Sequence, residues 1–212
     1  TNLYNTAMIP VLIEFVTWVL EQAKANDISR LYFLSRDGYQ MYLVAKDINR
    51  KMKLDIDIRY LNVSRYSMRV PEYALLGDKC LDRIFIGGID VTFRRIMKRA
   101  ALTDAEIDSV AKECDAGKDP DRILNYQEVM SLKQKFIGNK KLMGFIRKHS
   151  EESYPKDIGY LRQEGLLDDV NYALVDSGWV GTLQQTIRHL TQKERIDGFY
   201  FGLYEIPKDE NP

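Results

Sequence analysis

The sequence predicts an α/β protein: a parallel sheet with helices on both faces, interrupted by a helical insertion. Two strand–turn–helix passages predict the sheet. In one, the apolar run Leu31–Leu34 leads through "SRDG" into an amphipathic stretch. In the other, "NYALVD" leads through "SGWVGT" into another. The insertion is predicted by the text from about Val91 to Arg162, which is helical in period and dense in charge.

The elements follow in order. "IPVLIEFVTWVLEQAKAND" places Val11, Leu12, Phe15, Val16, Val19 and Leu20 at helical spacing, with Pro10 in the first turn. The apolar run Met8–Leu20 is broken by Glu14 and is too short for a bilayer, so a core-facing helix and no transmembrane segment are expected. Leu31–Leu34 is continuous and apolar, as in a strand buried on both faces. Tyr39–Lys51 resumes helical spacing through Met41, Val44, Ala45 and Ile48. A second strand lies near 57–63, ahead of "SRYSMRVP". In the insertion, Thr103 with Glu106 has the spacing of a capping box. The chain returns to strand–turn–helix at 171–192 and closes on the strand "IDGFYFGLYEI".

Composition narrows the function classes. Its 212 residues suit one domain, or a domain with a sizeable insertion. Lys plus Arg and Asp plus Glu balance at 31 each, so no global field draws the chain to nucleic acid, and any anion site is local. Cys80 and Cys114 stand in unrelated contexts, and the histidines, His149 and His189, have no ligand spacing. No disulfide framework or structural zinc is expected, and a cytoplasmic location is. No signal peptide is read. Thr1 opens without an initiator Met, and the chain is expected to be a piece of a longer protein.

Ligands of parallel sheets bind beyond the carboxyl ends of the strands. Three such ends carry polar clusters: Ser35-Arg36-Asp37-Gly38-Tyr39, Ser64-Arg65-Tyr66, and Asp176-Ser177-Gly178-Trp179-Val180-Gly181-Thr182. In the third, glycines allow close backbone approach and the following helix offers free N–H groups to a phosphate. Ser177 and Thr182 add hydroxyls. Asp176 would repel a phosphate but suits sugar hydroxyls. Together these describe a sugar-phosphate site. The same letters also describe a strand–turn–helix in which the acid caps the helix, and both readings stand at this point. In the first cluster Arg36 offers a bidentate fork, Gly38 permits unusual backbone geometry, and Asp37 suits an N-cap. Arg65 is either a phosphate ligand or a surface residue.

"LYFLSRDGYQMYLVAKDI" and "YALVDSGWVGTLQQTIRHL" resemble the pyrophosphate-binding and signature segments of phosphoribosyltransferases that use phosphoribosyl pyrophosphate (PRPP). The usual signature has two adjacent acids and a longer loop, whereas Ser177 stands in the second place here. The wider pattern "FLSRDGY…YLNVSRYSMR…LVDSGWVGTLQ" resembles the domain that accompanies a haloacid-dehalogenase-like phosphatase in bacterial polysaccharide-assembly proteins. The resemblance implies a Rossmann-like parallel sheet of the type I phosphoribosyltransferase kind over residues 1–212, with a helical insertion or cap at about 91–165.

It also implies a glycosyltransferase that moves a 5-phosphoribosyl group from PRPP to a sugar hydroxyl of a glycan. A phosphatase, attached or separate, then leaves ribofuranose. Ser177–Thr182 would wrap the 5-phosphate and Asp176 the ribose, while Ser35, Arg36, Gly38, Ser64 and Arg65 would meet the pyrophosphate. Arg36 and Asp37 would be catalytic, Asp37 as the base. Mg²⁺ would arrive with PRPP, without direct protein ligation or through Asp176. The acceptor is expected to be lipid-linked and the enzyme to join the membrane, if at all, through a larger assembly protein. Arg94, Arg95, Lys98 and Arg99 are candidates for the acceptor side. The other reading is a non-catalytic sugar-phosphate or nucleotide module regulating an attached enzyme.

Overall fold

The computed structural model describes residues 4–178 and 180–204. Helix α1 (Ile9–Ala25) precedes strand β1 (Arg30–Leu34), helix α2 (Gly38–Met52) and strand β2 (Asp57–Leu61). Helices α3 (Arg65–Leu76), α4 (Cys80–Ile84), α5 (Phe93–Arg99), α6 (Asp104–Ala111), α7 (Tyr126–Phe136) and α8 (Lys140–Gln163) follow. The chain then returns through β3 (Tyr172–Asp176), α9 (Thr182–Thr191) and β4 (Asp197–Tyr200). It divides into two compact units, an α/β unit of residues 1–64 and 162–212 and a helical unit of Arg65–Leu161.

In the α/β unit the four strands pair in the order β2-β1-β3-β4, all parallel. β1 and β3 are central and read as apolar runs because both their faces are covered. Side chains alternate across the sheet. On one face Leu31, Phe33, Ala173 and Val175 pack with Val16, Val19 and Leu20 of α1 and Met41 and Ala45 of α2. Tyr172 and Tyr200 project from the other face toward α9, where Gln184 meets Tyr200 and the cation of Lys193, just beyond the helix, lies 4.9 Å from the Tyr172 ring centre. The expected α/β architecture, with helices on both faces of a parallel sheet, is therefore present.

α1 buries Val16, Val19, Leu20 and Ala23 but exposes Val11, Ile13 and Trp18. The helical run Thr6–Ala25 is longer than the apolar run Met8–Leu20 suggests. By length and composition it could cross a membrane, and 22% of its most apolar window is buried.

The helical unit has its own core, which includes Ile84, Phe85, Phe93, Ile96, Phe136, Leu142 and Ile146. The Thr103–Glu106 capping box forms: Glu106 N–H donates to Thr103 Oγ1, and Thr103 N–H donates to Glu106 Oε2 at 2.8 Å. Burial opposes the Glu106 charge, but the bonds from Thr103 and His149 outweigh it and hold the acid at about 2. Helical structure begins at Arg65, upstream of the expected Val91. α3 escapes a pattern reading because Pro71 interrupts it, yet it still buries Met68, Val70 and Tyr73. Both cysteines are buried and free.

Candidate functional site

β1 neighbours both β2 and β3, so the chain's connections run in opposite directions from the centre of the sheet. The loops after β1 and β3 therefore leave from the topological switch point, where α/β sheets open a crevice. In the register Phe33 pairs with Val175, which sets the ends of these two strands side by side.

The two loops touch. Ser177 Oγ donates to Asp37 Oδ2 at 2.9 Å. Asp37 stands at the N-cap of α2 but makes no capping bond, so its carboxylate turns outward to the other loop. Asp176, by contrast, is not the N-cap of its helix. That position belongs to Gly181, left-handed at φ 69°, which has no side chain to cap with. Asp176 Oδ1 instead accepts from the Ser177 N–H at 2.8 Å. Two helices thus open at the switch point without a side-chain cap. The first-turn N–H groups of a helix have no acceptor within it, and its dipole favours an anion.

The remaining site residues divide by role. Ser35 ties β1 to β2. Its Oγ donates to Val63 O and accepts from Val63 N–H at 2.9 Å, while its own N–H reaches Leu61 O. Its hydroxyl is thus largely engaged with the backbone. Gly38 is needed for space rather than for an unusual φ, because a Cβ there would lie 3.1 Å from the Phe33 carbonyl carbon. Gly178, at φ 140°, lets the loop pass over the end of β4, where an added Cβ would sit 2.0 Å from Gly202 O. Arg36 is exposed and forms no ion pair among the described residues. Val180 and Thr182 are half-buried in the loop and the first turn, and Trp179 lies outside the described residues.

Ser64 ends the α/β unit and Arg65 opens α3 in the helical unit, so Arg65 is not part of the unit that carries the two loops. The basic cluster proposed for an acceptor is largely committed within the helical unit. Arg94 pairs with Asp121 at 2.9 Å and with Asp104, and Lys98 pairs with Asp104 at 2.9 Å. Arg95 donates to Asp90 O, and Arg99 to Ile84 O and Ile86 O. These cations satisfy carbonyls and acids at loop and helix ends, a role that charge density alone does not reveal.

Sequence reasoning did not single out Gln184 and Tyr200. The Tyr200 hydroxyl donates to Gln184 Oε1 at 2.6 Å. Burial, and after it the charge of Asp176, pushes the Tyr200 hydroxyl's pKa up, so it stays a protonated donor. Their signal lies in the register, which pairs Asp176 with Tyr200, and so becomes visible only in the assembled sheet. Compared with known proteins, the chain matches no family model and no curated protein.

Proposed function

We propose that this chain is a glycan phosphoribosyltransferase, moving a 5-phosphoribosyl group from PRPP to a sugar hydroxyl of a bacterial glycan. The observation that carries the reading is the Ser177–Asp37 hydrogen bond, which joins the two anion-ready loops at the switch point. The resemblance of both loops to PRPP-binding segments supplies the substrate.

In this reading the first turn of α9 and its loop receive the 5-phosphate, and Asp176 accepts from the ribose hydroxyls. Arg36 grips the pyrophosphate with its planar fork. The C1–oxygen bond breaks and its electron pair leaves with pyrophosphate. The acceptor hydroxyl forms the new bond to C1, and its proton passes to Asp37, an exposed carboxylate already turned toward the opposite loop.

Among the described residues no group of three or more acids, histidines or cysteines forms a metal cage. The carboxylate of Asp176, on a loop built for a phosphate, fits Mg²⁺ carried in on substrate oxygens, the usual way this ion is held. Asp176 would hold it, and the ion would supply neutralisation of the charge on departing pyrophosphate. A phosphatase, attached or separate, then removes the 5-phosphate to leave ribofuranose.

One observation favours a non-catalytic module instead: Ser177 stands where a second acid belongs, and its hydroxyl occupies Asp37. Titration calorimetry with PRPP and Mg²⁺ tests binding, and failure to bind ends the enzyme reading and a PRPP-binding module alike. Release of pyrophosphate on adding a glycan acceptor supports the enzyme; binding without release under any acceptor leaves the module.

A further inference from the structure

We infer that Gln184, Tyr200 and Gly198 form a clamp that sets the position of the phosphate-receiving turn of α9 against the sheet. This inference rests on the proposed sugar-phosphate site and names the residues that position it.

Gln184 lies in the first turn of α9, and its side chain is held at both ends. Nε2 donates to Ile196 O at 2.6 Å, and Oε1 accepts from the Tyr200 hydroxyl at 2.6 Å. Both partners belong to the β4 segment, so the carboxamide bridges the first turn of α9 to the strand beside Asp176. The bridge requires room that only glycine leaves. A Cβ at position 198 would fall 2.2 Å from Gln184 Oε1, 2.9 Å from Gln184 Cδ and 2.8 Å from the Tyr200 ring. Gly198 is a strand residue without a positive φ, so its lack of a side chain is explained by the carboxamide that fills its place.

The consequence for the ligand is geometric. The helix N–H groups that would meet a phosphate are in the same turn as Gln184, and the acid that would meet the sugar is across from Tyr200. The clamp therefore sets the distance between the phosphate end and the hydroxyl end of the site. This suits a sugar phosphomonoester, whose phosphate and hydroxyls are a fixed distance apart, and is irrelevant to a bare anion. Losing one hydrogen bond to a charged group of such a ligand corresponds to about a tenfold to hundredfold loss of affinity.

The test is calorimetry of ribose 5-phosphate and, separately, inorganic pyrophosphate on the wild type, Gln184→Met and Tyr200→Phe. Both substitutions nearly keep volume; Gln184→Met removes both bonds and Tyr200→Phe the one to Oε1. We expect ribose 5-phosphate to bind roughly tenfold to hundredfold more weakly to each variant, with pyrophosphate binding near that of the wild type. Hydrogen exchange of the Thr182–Gln185 amides should quicken in both, a readout that does not depend on ligand. Gly198→Ala should do the same, and Gly198→Ala combined with Gln184→Ala should regain melting temperature without regaining affinity. Wild-type affinity for ribose 5-phosphate in both single variants overturns the clamp alone. Equal loss for both probes overturns it too, because that pattern means general loosening. No binding of ribose 5-phosphate by the wild type overturns the clamp's ligand role together with the reading beneath it.

Discussion

At the amino ends of the strands Arg30 is held by two carboxylates and a carbonyl; at the carboxyl ends Arg36 stands exposed, without an ion pair among the described residues. The Arg30 side chain is 11% exposed and reaches Asp57 at 2.7 Å, Asp168 at 2.8 Å and Gly165 O at 2.9 Å. Arg59 joins through Asp57 and donates to Glu164 O at 2.7 Å, where Tyr32 donates as well. This network ties the start of the sheet to the segment returning from α8. At the carboxyl ends, Asp37 accepts from the Ser177 hydroxyl. One end uses its charges to close the fold; at the other, Arg36 and Asp37 stay at the surface.

The largest expected effect lies at the closed end. Arg30→Met removes the donor from two carboxylates and a carbonyl. Removing one partner of a buried pair costs about 3–5 kcal/mol. Asp57 and Asp168 are 41% and 48% exposed and are partly rehydrated, which reduces the expectation to about 2–3 kcal/mol. Urea denaturation measures it. The variant that remains folded should bind ribose 5-phosphate like wild type; a loss of binding would mean that the two ends are not separate in function.

Next in size is Asp176→Asn at the open end. Asn keeps the shape and serves a turn, so the melting temperature should hold. A hydrogen bond to a charged group contributes roughly 1.5–3 kcal/mol, so affinity should fall about tenfold to hundredfold for both PRPP and ribose 5-phosphate. Unchanged affinity for both would reduce the acid to a partner of the Ser177 N–H. Arg36→Lys should be narrower in effect. It should weaken PRPP by several-fold and spare ribose 5-phosphate, because a point charge does not reproduce the fork. Stability should stay within about 0.5 kcal/mol, as for an exposed residue. A drop in melting temperature would place Arg36 in the fold after all.

The same contrast explains what could be read beforehand. Strand placement was legible at β1 and β3 because a strand buried on both faces leaves an unbroken apolar run. The Thr103–Glu106 box was legible because both partners lie within one turn. α3 was not, since Pro71 masks its period while tertiary packing sustains it. The polar loops at 35–38 and 176–182 were visible as clusters at strand ends. The Ser177–Asp37 bond itself, the Gln184 bridge and the Arg30 network join residues distant in sequence, and strand order alone decides them. The partners of the insertion's arginines were not legible, because charge density does not say whether a charge is already paired.

The smallest expected effect is a pH dependence that belongs to the closed end alone. Burial acts to raise the pKa of Asp57, but the bonds from Arg59 and Arg30 prevail and hold it below the ordinary carboxylate range. A depressed folded value means that the folded state resists protonation more than the unfolded chain does. The contribution is therefore complete above the ordinary aspartate value of about 3.9 and is lost as pH falls through the lower folded value. Asp57→Asn should be less stable than wild type at neutral pH, and the gap should close progressively below about pH 4. The partial exposure of the acid keeps the gap small. Urea midpoints of both proteins between neutral and strongly acidic pH measure it. A gap that stays constant with pH would mean that Asn still satisfies both arginines and that the Asp57 charge does not matter. Ribose 5-phosphate binding at neutral pH should be identical in the two proteins, because the pairing that fails in acid is at the end of the sheet away from the ligand loops.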